Sequence, residues 1–136
     1  MPDALGSVGL FSSLNRRELG RLRRAGTVLR LAGGAEVVAE GAPGDAFYLV
    51  VRGTATVRRN RRKAAVLGPG DYFGELALLD GGPRTATVVA DEPVELLAIE
   101  RGPFARVLEE VPAVGQKLLV TMAARLRDAD RRAATV

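Results

Sequence analysis

Gly68-Pro69-Gly70-Asp71-Tyr72-Phe73-Gly74-Glu75-Leu76-Ala77-Leu78-Leu79-Asp80-Gly81-Gly82-Pro83-Arg84-Thr85-Ala86-Thr87-Val88 is the stretch on which the reading of this chain turns. Gly74 precedes Glu75-Leu76-Ala77-Leu78-Leu79, a run of good helix formers long enough for only one or two turns. Gly81-Gly82-Pro83 ends that run, and Arg84 leads straight into β-type sequence. A short helix after a glycine aims free backbone N–H groups at whatever sits before it, and its dipole favours an anion there. Arg84, ten residues after Gly74, can close on the same spot with a bidentate grip. Glu75 is the odd member, because a carboxylate opposes a phosphate. It fits as an acceptor for a sugar hydroxyl beside the phosphate, as a favourable acid at a helix N-terminus, or as an ion-pair partner of Arg84. The residues alone therefore leave open a nucleotide site and an ordinary turn followed by a capped helical loop.

Two phosphate-loop templates fail here. Neither lysine, Lys63 or Lys117, follows a glycine as the Walker loop requires. Gly68, Gly70 and Gly74 are one residue too widely spaced for the dinucleotide fingerprint, and no strand–helix–strand unit surrounds them.

Outward from this stretch the chain is built of short β-type runs. They lie at Thr27–Leu31, Glu36–Ala39, Phe47–Val51, Thr54–Arg58, Ala64–Leu67, Thr85–Ala90 and Glu95–Ile99. Gly and Pro turns punctuate them, and no helix-length segment lies between them, so a sandwich or barrel is expected rather than a parallel α/β sheet. Leu14–Ala25 reads as a helix, with Asn15 as N-cap and Glu18 completing a capping box. Pro103–Glu110 reads as a short helix. A longer helix runs from Pro112 to about Arg132, with Val111, Val114, Leu118, Met122, Leu126 and Ala129 forming one stripe. The expected architecture is α+β: a β-roll, a jelly-roll-like antiparallel barrel, with an N-terminal helix and two C-terminal helices. Residues 1–136 form a single domain, the roll spanning about 27–100 and the C-terminal helices 101–133.

Composition narrows the chemistry. The 136 residues include no Cys, no His and no Trp. That excludes a disulfide framework, a zinc ribbon, an iron–sulfur cluster, a thiol nucleophile and the usual His-containing triads. Cupin-type rolls need clustered His ligands, so a metal site is not expected. Glu109-Glu110 and Asp91-Glu92 fall at turns or helix ends without a pocket, and no enzyme activity is expected. Eighteen of the 20 cations are Arg and the net charge is +4. A GC-rich genome accounts for much of that bias, so net charge does not by itself identify an anionic partner. The dense run Arg58-Arg59-Asn60-Arg61-Arg62-Lys63 falls at an expected hairpin tip, and a solvated tip competes there with a contact to nucleic acid, membrane or an acidic protein. The start lacks a signal-peptide pattern, and apolar runs such as Phe47–Val51 fall far short of the ~20 residues of a membrane span. The expectation is a cytoplasmic, bacterial protein.

Phe73-Gly74-Glu75-Leu76-Ala77-Leu78-Leu79 with Pro83-Arg84-Thr85-Ala86-Thr87-Val88 resembles the phosphate-binding cassette of cyclic-nucleotide-binding domains. Such domains occur in protein kinase A and G regulatory regions, nucleotide-gated channels and catabolite-activator-type regulators. Leu10-Phe11, Glu40-Gly41, Gly44-Asp45, Tyr48, Gly53, Leu67–Gly70, Phe104 and Pro112 also match the family's spacing, so the resemblance covers nearly the whole chain. It implies that Arg84 pairs with the cyclic phosphate and that Glu75 accepts the ribose 2′-hydroxyl. It further implies that amides of Leu76, Ala77, Thr85 and Ala86 complete the cradle, and that Gly74 permits close backbone approach. Thr85 fits the hydroxyl pattern of cGMP-preferring members, yet Thr also occurs there in cAMP-binding ones; cAMP is expected, with cGMP as the alternative. Leu118, Met122, Arg125 and Leu126 are candidates for a base lid, each with packing against the roll or a second subunit as the competing reading.

The resemblance thus implies a sensor that binds cAMP or cGMP as ligand, needs no cofactor, and passes the signal through its C-terminal helices to an effector or a homodimer mate. DNA binding within this chain is not expected. The alternatives are the effector-binding half of a catabolite-activator-type transcription regulator, and a degenerate domain serving as a dimerisation module.

Overall fold

The computed structural model describes residues 14–75 and 82–134, apart from the side chains at 125 and 128–134. The chain enters through helix α1 (Arg16–Ala25). The Asn15 side chain accepts the Glu18 N–H at 2.8 Å, and the Glu18 carboxylate accepts the Asn15 N–H at 2.8 Å. This reciprocal box satisfies two of the donors that every helix start leaves open. Leu14, just before the cap, and Leu19 in the next turn both join the core, which fixes the angle of entry.

Eight strands follow among the described residues: β1 (Thr27–Leu31), β2 (Glu36–Val38), β3 (Ala46–Arg52), β4 (Ala55–Arg59), β5 (Arg62–Leu67), β6 (Tyr72–Phe73), β7 (Thr87–Ala90) and β8 (Val94–Glu100). Helices α2 (Arg101–Glu110) and α3 (Pro112–Ala134) close the order. The strands form two antiparallel four-stranded sheets, β1-β8-β3-β6 and β2-β7-β4-β5. The jelly-roll arrangement is as expected, but the sheets stay separate as a sandwich rather than closing into a barrel.

The first sheet is buried on both faces. Phe47, Leu49, Leu97 and Ile99 point to a core shared with Leu22 of α1, Phe104 and Val107 of α2, and Val114 and Leu118 of α3. Val50 and Leu96, with opposite orientation on β3 and β8, point to a second core against Ala55, Val88 and Ala90 of the other sheet. The layers are therefore helices, sheet, sheet. Burial on both faces is why β3 and β8 read as continuous apolar runs instead of alternating ones. Ion pairs tie the helix layer together: Arg21 meets Glu110, and Lys117 Nζ lies 3.3 Å from Glu18 Oε1. Arg21 thus links α1 to α2.

Other details differ from the sequence reading for local reasons. Strand β6 was not anticipated, because a two-residue strand carries no period of its own. Thr85 and Ala86 form a bend, and β7 begins only at Thr87. The α3 stripe stays in the core through Leu118 and, partly, Met122; Leu126 is exposed.

Asn15→Ala is expected to lower stability by about 1 kcal/mol through loss of the cap, measured by urea unfolding. The Asn15 N–H holds the Glu18 carboxyl below its ordinary value of 4.5. A depressed folded pKa means the associated stability is present above 4.5 and lost as pH falls through the folded value. Glu18→Gln is therefore expected to flatten the stability profile in that acid window, and an unaltered profile would contradict the assignment.

Candidate functional site

The site is organised around one arginine. Arg84 follows Pro83, and its backbone is fixed from both sides by the turn after β2. The Gly41 N–H donates to the Arg84 carbonyl at 2.8 Å, and the Arg84 N–H donates to the Ala42 carbonyl at 2.9 Å. Glu40 adds a third tie to this turn by donating its N–H to Thr87 Oγ1 at 2.9 Å. With the main chain held, the side chain runs inward and only 7% of the residue stays exposed.

Two glycines make room for it. A Cβ on Gly44 would fall on the guanidinium itself, well inside contact distance of Nε, Cζ and Nη2. A Cβ on Gly74 would come within 2.6 Å of Nη1 and 2.8 Å of the Ala46 carbonyl. Gly74 also holds φ at +88°, a region that disfavours any residue with a Cβ. The guanidinium carbon lies 5.6 Å from the Tyr48 ring centroid, and Tyr48 stacks on Phe73 with centroids 5.0 Å apart. The cation–π contact and the two glycine walls hold the charged head without neutralising it.

Arg84 Nη1 is buried and has no hydrogen-bond partner among the described residues. A buried donor on a charged group is costly when unpaired, and native proteins rarely keep one without a reason. No ion pair to Arg84 is found among the described residues. Glu75 is half-buried and helical, directly after Gly74. The arrangement offers an anion a fixed guanidinium N–H with a carboxylate-bearing residue one position beyond the glycine that lines the guanidinium.

Of the residues singled out from sequence, the structure brings Gly74 and Arg84 into contact. Thr85 is exposed and Ala86 buried, next to Arg84 in the bend. Leu76 and Ala77 lie outside the described residues, as does the side chain of Arg125. Leu118 is packed in the helix-side core and Met122 lies partly against it, while Leu126 is 65% exposed. Two further residues, for which no role in the site was expected, belong to it. Tyr48 lies against the guanidinium, and Gly44 lines it. The available signal was Tyr48's alternation with Phe47 and Leu49, which places it on the other face of β3. The carboxylates weighed for catalysis have structural partners: Asp91 accepts from Thr54 and Thr56 hydroxyls, and Glu110 holds Arg21.

Gly44→Ala is expected to cost about 1–3 kcal/mol in urea unfolding, because the added methyl displaces a buried guanidinium whose backbone is pinned. Unchanged stability would contradict the packing described.

Known proteins resemble this chain in sequence and in shape. A family model, the cyclic nucleotide-binding domain, matches residues 28–111. The chain is 42% identical over 113 residues to a cAMP-dependent protein kinase regulatory subunit of Aspergillus niger, covering 79% of this chain and 26% of the relative. It is 40% identical over 102 residues to the cyclic AMP receptor protein of Thermus thermophilus, covering 71% of this chain and 47% of the relative. The chain thus spans less than half the length of these relatives. Among solved structures, the Thermus thermophilus catabolite activator protein superposes with a TM-score of 0.88 at 34% identity, covering 93% of this chain and 62% of that one. The N-terminal domain of a Streptomyces coelicolor transcriptional regulator gives 0.77 at 36% identity, covering 96% and 94%. A PKAR CBD2 structure bound to Sp-2Cl-cAMPS gives 0.76 at 25%, covering 94% and 88%. With a family match over most of the roll and the guanidinium seat in place, this chain belongs to the cyclic nucleotide-binding domain family.

Proposed function

We propose that this chain is a cAMP sensor whose ligand is held chiefly by Arg84. The observation that carries the reading is the buried guanidinium whose Nη1 has no partner among the described residues, wedged between Gly44 and Gly74. A cyclic phosphate supplies the missing acceptor and the balancing charge. Glu75 accepts the ribose 2′-hydroxyl, and the amides of Leu76, Ala77, Thr85 and Ala86 complete the cradle. These roles follow the family resemblance, and the contact of Gly74 with Arg84 is consistent with them. The preference for cAMP over cGMP rests on the cAMP-related names of the relatives.

Transmission has a physical route in this reading. The loop that seats Arg84 also holds the first residue of α2, since the Asp45 carbonyl accepts the Arg101 N–H at 2.9 Å. Phosphate capture that shifts Gly44 and Asp45 biases the start of α2, and α2 packs on α3. The ligand moves this equilibrium only as far as its affinity differs between helix positions. Closure of Leu118, Met122, Arg125 and Leu126 over the base requires α3 to reposition, because Leu118 is now in the core. Leu119, Val120 and Leu126 are 64%, 72% and 65% exposed, which supports a homodimer through α3. No helix among the described residues is long and apolar enough to cross a membrane, and we place the protein in the cytoplasm without catalytic activity of its own. The likeness to two transcription regulators supports a second reading, the effector-binding half of such a regulator.

Calorimetric titration with cAMP and cGMP tests the proposal. Arg84→Gln is expected to weaken cAMP binding by about 10²–10³-fold, the worth of a charge-assisted bidentate contact. Absence of binding by the parent chain to either nucleotide would overturn the reading. For Glu75, 2′-deoxy-cAMP is expected to bind about tenfold or more weakly; equal affinity would remove its assigned role.

A further inference from the structure

The hairpin joining β4 and β5 is built against its own stability. Its two turn residues, Asn60 and Arg61, sit at φ +52° and +66°, the left-handed pair of a tight hairpin turn. Asn followed by Gly is the favoured choice there, and an arginine occupies the glycine position. The register sets Arg58 opposite Lys63 and Arg59 opposite Arg62, two like-charge cross-strand pairs in succession. All five cations are exposed, and none has an ion pair or side-chain hydrogen bond among the described residues. The adjoining acid, Glu40, is used to accept the Asn60 N–H at 3.0 Å. A bound cyclic nucleotide carries a single negative charge and cannot balance this cluster.

Strand β5 continues from that tip as the outer strand of its sheet. Arg62 through Val66 are each exposed, so both faces of the strand are open, and Val66 is 48% exposed. No other strand pairs with its outer edge among the described residues. An open edge offers main-chain donors and acceptors, alternating side chains on both faces, and here a positive charge at one end.

We propose that β5 is a docking edge for an extended acidic segment of a partner protein, which adds as a fifth strand. Its carboxylates meet Arg62 and Lys63, with Arg58, Arg59 and Arg61 beside them, and an apolar residue covers Val66. Nucleic acid would use the cations but neither the hydrogen-bonding edge nor Ala64-Ala65-Val66. A second copy of the hairpin would bring a further five cations and no acid, which disfavours self-pairing. The hairpin is tied through Glu40 to the turn that fixes Arg84, so the docking edge and the ligand seat share a support.

The test is an NMR titration of the nucleotide-free chain with a peptide of about ten residues that carries consecutive Glu at the end reaching Arg62 and Lys63 and Val and Thr over the rest, matched to strand addition. It does not depend on the cyclic-nucleotide reading. The expected result is saturable binding with shifts concentrated in the Arg62–Val66 amides, about fivefold weaker binding to R62Q/K63Q, and loss of binding when alternate peptide nitrogens are methylated. Equal binding of the methylated peptide would overturn the proposal, since charge alone would then be the contact. So would shifts confined to the α1 arginines, tighter binding of a short DNA duplex that displaces the peptide, or no binding at all.

Discussion

A buried guanidinium with no ion pair among the described residues is the constraint around which the rest of the structure is arranged. Charge of this kind is ordinarily paired or left in water. Here Arg84 is held by geometry: two backbone bonds to the Gly41–Ala42 turn, glycine walls at Gly44 and Gly74, and the face of Tyr48. These come from two stretches distant in sequence from one another, residues 41–48 and Gly74, so the seat exists only when the fold is complete. Nη1 has no partner among the described residues, and the stability given up there is offset by the cores, chiefly the two-faced burial of the first sheet.

The layering also explains why a ligand at this seat is placed to move helices. β3 begins at Ala46, immediately after the loop that lines the guanidinium, and pairs there with Glu100 at the end of β8. The next residue starts α2. The binding loop, the central strand pair and the helix layer are thus consecutive in contact, with one hydrogen bond, Arg101 to Asp45, at the junction. A rigid sandwich with a helix layer resting on one face suits a two-position device, because the helices can shift while the sheets keep the seat intact.

What could be read in the sequence was whatever depends on neighbours along the chain. The Asn15–Glu18 capping box, the turns at Gly and Pro, the antiparallel jelly-roll class and the hairpin tip at Asn60-Arg61 were legible from spacing, whereas spacing only drew attention to Gly74 and Arg84 and their expected roles came from the family resemblance. Tyr48 and Gly44 were not assigned to the seat because their contact with Arg84 spans about forty residues and depends on which face of β3 turns toward the second sheet. The same limit applies to α3. Its stripe announces a buried face, but helical periodicity does not say whether Leu118 meets a nucleotide base, another subunit or the sheet; in this structure it meets the core. The separation of the sheets and the two-residue β6 are likewise tertiary outcomes.

The central claim is that Arg84 is held unpaired for an anionic ligand, at a cost to the ligand-free fold. Thermal unfolding of the parent and of Arg84→Met, each with and without saturating cAMP, measures that cost directly. The account predicts that the ligand-free variant melts at or above the parent, and that cAMP stabilises the parent by about 2–3 kcal/mol at a hundredfold excess over Kd while leaving the variant unmoved. A variant that is markedly less stable without ligand, yet is still shifted by cAMP as the parent is, would contradict it.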